Sequence, residues 1–105
     1  NDPVYIEAAQ SLARKIAQHP GDVSEQARFG IETCLVRSAD DAEVEQLVQL
    51  FNLAREHFAS REAEAKQLAT VPLGNPPEGL SVTDLAAWTA VSNVLLNLDE
   101  FLMKP

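Results

Sequence analysis

Aromatic side chains are scarce in this chain, four Phe, one Trp and one Tyr among 105 residues, so aliphatic packing must dominate any core. There is one cysteine, Cys34, which excludes an internal disulfide and says little about redox compartment. Basic residues are outnumbered, with 8 Lys and Arg against 16 Asp and Glu, and the resulting net charge of −8 repels phosphate backbones and anionic lipid. Nucleic acid and membrane surfaces are therefore poor partners. Long apolar runs are missing too. The longest uncharged stretch, Leu85 to Leu98, rises only about 21 Å as a helix, against roughly 30 Å of bilayer hydrocarbon. No strand-like alternation, signal peptide, stop-transfer segment or initiator Met is found, so the chain reads as an excised, C-terminal piece of a longer protein.

What is present is helical periodicity in a chain that is 46% hydrophobic and 23% charged, a globular composition. Its length suits one domain, residues 1–105, able to bury roughly 65% of its unfolded surface. The densest apolar run holds Leu85, Trp88, Val91, Leu95, Leu98 and Leu102 at three-or-four spacing, with Val94, Leu96 and Phe101 beside them. So wide a stripe must be covered on several sides, which makes this the central helix and Trp88 its largest core contributor. Ser81 and Thr83 ahead of Asp84 mark its start.

The preceding helices follow from their caps. Asp2-Pro3 opens the first, which turns Tyr5, Ala9, Leu12, Ala13 and Ile16 inward and leaves Glu7, Gln10, Arg14 and Gln18 wet. It stops at His19-Pro20-Gly21. Asp22 with Glu25, and Asp40 with Glu43, have capping-box spacing and start the second and third helices. The second presents Ala27, Ile31, Cys34 and Leu35 inward; Gly30 weakens it by about 1 kcal/mol unless another backbone needs to approach there. In the third, Val44, Leu47, Val48, Phe51, Ala54 and Phe58 keep the period. The residues from Ser60 onward read either as a solvated extension or as a separate short helix. Residues 70–81 bring three of the six prolines and two of the four glycines together as an exposed, mobile crossover loop. The expected fold is all-α, with four main helices near residues 3–18, 24–37, 41–68 and 83–101. They form a four-helix, bundle-like orthogonal or up-down array with the long Pro/Gly-rich loop before the last helix.

Chemistry is harder to find. His19 and His57 have no ligand partner at helical spacing, and Cys34 on an apolar face reads as a small hydrophobe. There is no haem attachment signature, glycine-rich phosphate loop or nucleophile elbow. No catalytic, cofactor-binding or metal-ligating residue is assigned. One place breaks a local rule: Asp99 and Glu100 sit where a helix's negative end disfavours acids by about 0.3–1 kcal/mol. Either the helix ends near Asn97 or a cation compensates, with Arg37 as first choice in a pair with Glu100. Arg37, Asn93, Asn97, Asp99 and Glu100 form the candidate polar cluster.

Two stretches also carry a resemblance: Asn1-Asp2-Pro3-Val4-Tyr5-Ile6-Glu7-Ala8-Ala9, and Ala87-Trp88-Thr89-Ala90-Val91 leading into Leu95-Leu96-Asn97-Leu98-Asp99-Glu100-Phe101. The chain resembles the C-terminal helical region of large secreted planctomycete-type proteins of unknown function, in which a cytochrome-c-like haem domain often lies upstream. It departs from them before the third helix, where Val36-Arg37-Ser38-Ala39 stands in place of Gly-Arg-x-Pro. The resemblance implies an extracytoplasmic, periplasmic or secreted, parent and allows haem in an upstream domain. It implies none in this stretch. Three readings compete: an accessory helical module that packs on other domains of its parent or on a protein partner; a contributor of polar groups from the last helix to the parent's active site; and a redox or metal sensor resting on Cys34 and His57.

Overall fold

The computed structural model describes residues 3–103, with side chains over residues 5–98. Within them the chain forms α1 (Pro3–Gln18), α2 (Val23–Leu35), α3 (Asp41–Ala59), α4 (Glu62–Thr70) and α5 (Val82–Met103), and no strand. The Asp2 cap expected for α1 lies outside the described residues. Both capping boxes form as expected. Glu25 N–H donates to Asp22 Oδ1 at 2.9 Å while Asp22 N–H donates to Glu25 Oε1 at 3.0 Å. Asp40 and Glu43 repeat the exchange at 2.9 and 3.1 Å, so each helix start has two free amides satisfied by spacing alone. Ser81 caps α5, its Oγ accepting from Asp84 N–H at 3.2 Å.

The stretch expected to run from residue 41 to 68 as one helix is broken. Ser60 leaves helical geometry, Arg61 N–H falls back to Phe58 O, and the Arg61 guanidinium donates to His57 O at 2.8 Å. Those two donors satisfy carbonyls at the end of α3, which lets α4 restart on a new axis. Of the two sequence alternatives, the separate short helix is the one formed. Its buried positions are Ala65, Ala69 and Thr70. Ala65 and Ala69 are fully covered, as are Ala86 and Ala87 of α5, and α4 packs on α5. Methyl side chains of this kind allow two helix axes to approach closely.

α5 touches all four other helices, most extensively α1, α3 and α4, and the centre of the fold is its first half. Leu85, Ala86, Ala87, Trp88 and Thr89 are consecutive and all buried, which a helix allows only when neighbours surround it. Trp88, 2% exposed, stacks on Phe51 of α3 with ring centroids 4.2 Å apart. The only hydroxyl on that run, Thr89, donates to Leu85 O at 2.7 Å. From Val91 to Leu98 the cover is one-sided. Val91, Ser92 and Leu95 are buried, whereas Val94 and Leu98 are exposed.

Gly30 has its reason in the same region. A Cβ there would lie 2.8 Å from Ile16 Cδ1 and 3.3 Å from Leu95 Cδ1, so the missing side chain makes room for core residues of α1 and α5. The helix-weakening glycine is matched by better packing across three helices.

Candidate functional site

Of the expected polar cluster, the side chains of Arg37, Asn93 and Asn97 lie within the described residues. Arg37 stands in the turn between α2 and α3 and is taken by Glu43: Nη1 donates to Oε1 at 2.9 Å and Nη2 to Oε2, a bidentate pair with side chains 44% and 32% exposed. Nη1 also donates to Ser38 O at 3.0 Å. The Arg37 hydrogen bonds, then the Asp40 N–H bond, hold the Glu43 carboxyl at about 2, well below its usual 4.5. The same contacts raise the Arg37 guanidinium above its ordinary value. Asn97 is exposed and its Nδ2 donates back to Asn93 O at 2.8 Å, an ordinary i to i−4 contact along the helix. The side chains of Asp99 and Glu100 lie outside the described residues, and so does any pair between Glu100 and Arg37. The helix does not end near Asn97: α5 continues to Met103 and carries both acids within it.

A polar assembly that sequence reasoning missed lies on α1. Gln10 and Arg14 were both expected on the wet face; Gln10 is instead fully buried. Its Nε2 donates to Leu68 O and Val71 O, each at 2.7 Å, and its Oε1 accepts from Leu73 N–H at 3.1 Å. Arg14 donates to Asn75 O at 2.9 Å, to Ala69 O at 3.3 Å and to Gly74 O. Together they grip both flanks of the turn that leaves α4, so the loop expected to be free is anchored at its start. The available sequence signal was the small side chains of Ala9, Ala13 and Ala17, which widen the buried arc of α1 and let another segment come close beside Gln10. These contacts satisfy backbone groups at a helix end. That is a structural task, and it engages both Gln10 amide protons and three of the five Arg14 N–H groups, while Arg14 Nε is buried without a partner.

A second polar concentration borders the other end of the loop. A cleft of about 200 Å³ opens where the end of α1, the start of α2, α3 and the start of α5 meet. Phe51, Trp88, Val23 and Leu80 give it apolar lining. Gln26, Arg55 and Asp84 bring polar groups to it. The Arg55 guanidinium lies 5.0 Å from the Phe51 ring centroid and donates to Asn52 Oδ1 at 3.2 Å, which fixes its direction. Gln26 spends both amide protons on carbonyls at and just past the end of α1, Ala17 O at 3.3 Å and His19 O at 3.0 Å, leaving its Oε1 as an acceptor.

His19 stacks on Phe29 with centroids 4.2 Å apart, and His57 is exposed with its ring edge-on to Phe58. Cys34 is partly buried against the core. Among the described residues no three His, Cys, Asp or Glu side chains are grouped to hold a metal ion, and no helix is long and apolar enough to cross a membrane. Set against protein-family models, curated proteins and solved structures, the chain has no match.

Proposed function

We propose that the chain is an accessory helical module that packs against other domains of its own polypeptide or against a protein partner. The observation that carries this reading is the outer face of the second half of α5, where Val94 and Leu98, one helical turn apart, are 37% and 46% exposed. Leu98 also walls a shallow apolar groove with Ile31, Leu35, Leu47 and Leu95. Aliphatic side chains set in register on one helix face are what a docking helix presents. With a net charge of −8, the complementary surface is apolar with a basic rim. In the same reading α1, α2, α3 and α5 make a four-helix, bundle-like array, braced by α4 and closed by the Pro/Gly loop. The extracytoplasmic setting and a haem domain upstream belong to this proposal through the resemblance at the two ends of the chain alone.

Hydrogen exchange tests the docking face. It compares the 105-residue chain with the gene product as the cell makes it. Amides from Val91 to Leu98 are expected to exchange more slowly in the intact product, and Leu98→Asp should abolish that difference while moving the melting of the isolated chain by no more than about 0.5 kcal/mol. Equal exchange in the two forms would remove the docking reading.

A further inference from the structure

We propose that the cleft between α3 and the start of α5 is a binding site for a small zwitterion of the α-amino-acid type, with Arg55 taking the carboxylate and Asp84 the ammonium group. Two opposite charges line one cleft. Neither belongs to any of the three ion pairs found among the described residues, which join Arg28 to Asp41, Arg37 to Glu43 and Arg61 to Glu64. Arg55 is held in direction by the Phe51 ring and Asn52, and one of its five N–H groups is used there. The others remain for a planar acceptor, which a carboxylate matches.

Asp84, which lines the same cleft, is half-buried at the start of α5. Its own N–H is engaged by Ser81 Oγ, and its carboxylate, with Gln26 Oε1, offers acceptors to a cation. Val23, Leu80 and Trp88 line the same cleft and supply its apolar surface. The overall charge of −8 repels a simple anion from this site. A zwitterion escapes that repulsion and meets both ends. A volume of about 200 Å³ is below the range of drug-sized pockets, so the ligand is small and its affinity is on the order of 1 mM.

Trp88 is the single tryptophan, so its fluorescence reports the cleft directly. L-leucine, 3-methylbutylamine and 4-methylpentanoate, which share the apolar group and differ in the charged ends, are titrated into the intact chain at neutral pH. Fluorescence is read alongside amide NMR shifts of Arg55, Leu80 and Asp84. Saturable leucine binding is expected, with each single-charge analogue at least about ten-fold weaker, a difference worth about 1.4 kcal/mol. Arg55→Gln should bring leucine down to the amine's level and Asp84→Asn to the acid's, with thermal melts confirming that both variants fold. No saturable change with leucine, an amine that binds as tightly as leucine, or leucine binding retained in both folded variants would each overturn the assignment.

Discussion

The turn between α2 and α3 and the loop between α4 and α5 are held by opposite means. The turn is fastened by side chains close to it in sequence: Arg37 to Glu43 six residues on, and Arg28 to Ala39 O and Asp41, eleven and thirteen residues on. Both ion pairs lie at the surface, and the Arg28 bond to Ala39 O is partly buried. The loop is fastened by Gln10 and Arg14, 55 to 63 residues away, through its backbone and in part beneath the surface. In water an exposed ion pair is worth little, because both charges are well solvated before they meet. A buried amide that satisfies three backbone groups is worth more, since its loss strands those groups away from solvent. The longer connection is therefore the more firmly tied of the two.

The largest effect should come from Gln10. Gln10→Met keeps the volume and removes every polar contact, leaving Leu68 O, Val71 O and Leu73 N–H to find other partners, at a cost of about 2–4 kcal/mol in urea unfolding. Gln10→Glu sharpens the point: it retains an acceptor for Leu73 N–H but turns a carboxylate toward two carbonyls. It should be more destabilised at neutral pH than when acid protonates it. If Gln10→Met costs under about 1 kcal/mol, the loop is not held from α1.

Arg14 comes next. One guanidinium spans the carbonyls of Ala69, Gly74 and Asn75, a geometry that an ammonium group cannot reproduce. Arg14→Lys should cost about 1–2 kcal/mol, less than Gln10→Met because two of its three bonds lie at the exposed surface. Amide exchange should quicken at Leu73 and Gly74 and stay unchanged at Ala39. Equal quickening at both places would mean global destabilisation.

The same contrast explains which features could be read in the sequence. Capping boxes are i to i+3 patterns, so Asp22 with Glu25 and Asp40 with Glu43 were legible, as was α5, whose apolar stripe repeats within one helix. Trp88 could be placed in the core on that basis, and an all-helical fold followed. The break at Ser60 was left between two readings, because helix formers continue on both sides and the Arg61 contact to His57 O that ends α3 depends on backbone geometry. Gln10 was misplaced because a polar residue beside an apolar stripe looks solvated unless the segment that covers it, some sixty residues later, is already known. In the candidate cluster, Arg37 pairs with Glu43 at the start of the next helix, a local contact the sequence reading does not name, while its expected pair with Glu100 lies outside the described residues.

Val36 tests the turn in the stabilising direction. It ends α2 at φ 52°, a left-handed conformation that a β-branched residue pays for in strain, and it is 87% exposed, so its side chain returns little through burial. Val36→Gly should raise stability by about 0.5–1 kcal/mol, the relief of strain exceeding the added freedom of the unfolded chain. Val36→Asn should gain less. A loss of stability with glycine would mean that the exposed valine makes a contact worth more than the strain.

The smallest effect belongs to the Arg37–Glu43 pair, and its signature is pH dependence rather than size. Glu43 ionises at about 2 in the folded protein against an ordinary 4.5, so between those values the folded state holds fewer protons than the unfolded one. Whatever the pair contributes is whole above pH 4.5 and drains away as the pH falls toward 2. Arg37 remains charged across the whole window. In Arg37→Ala the carboxyl loses the larger cause of its low ionisation but keeps the Asp40 N–H bond, so its titration should move up partway. The fall in urea midpoint between about pH 5 and about pH 2.5 should then be shallower than in the parent chain, and at pH 7 the two should differ only slightly because solvent screens both side chains. Carboxyl NMR of Glu43 checks the cause independently of stability. A parent midpoint near the ordinary carboxylate value, or identical acid slopes in parent and Arg37→Ala, would show that the pair is geometric only, and that the Asp40–Glu43 capping box and Arg28 carry the turn.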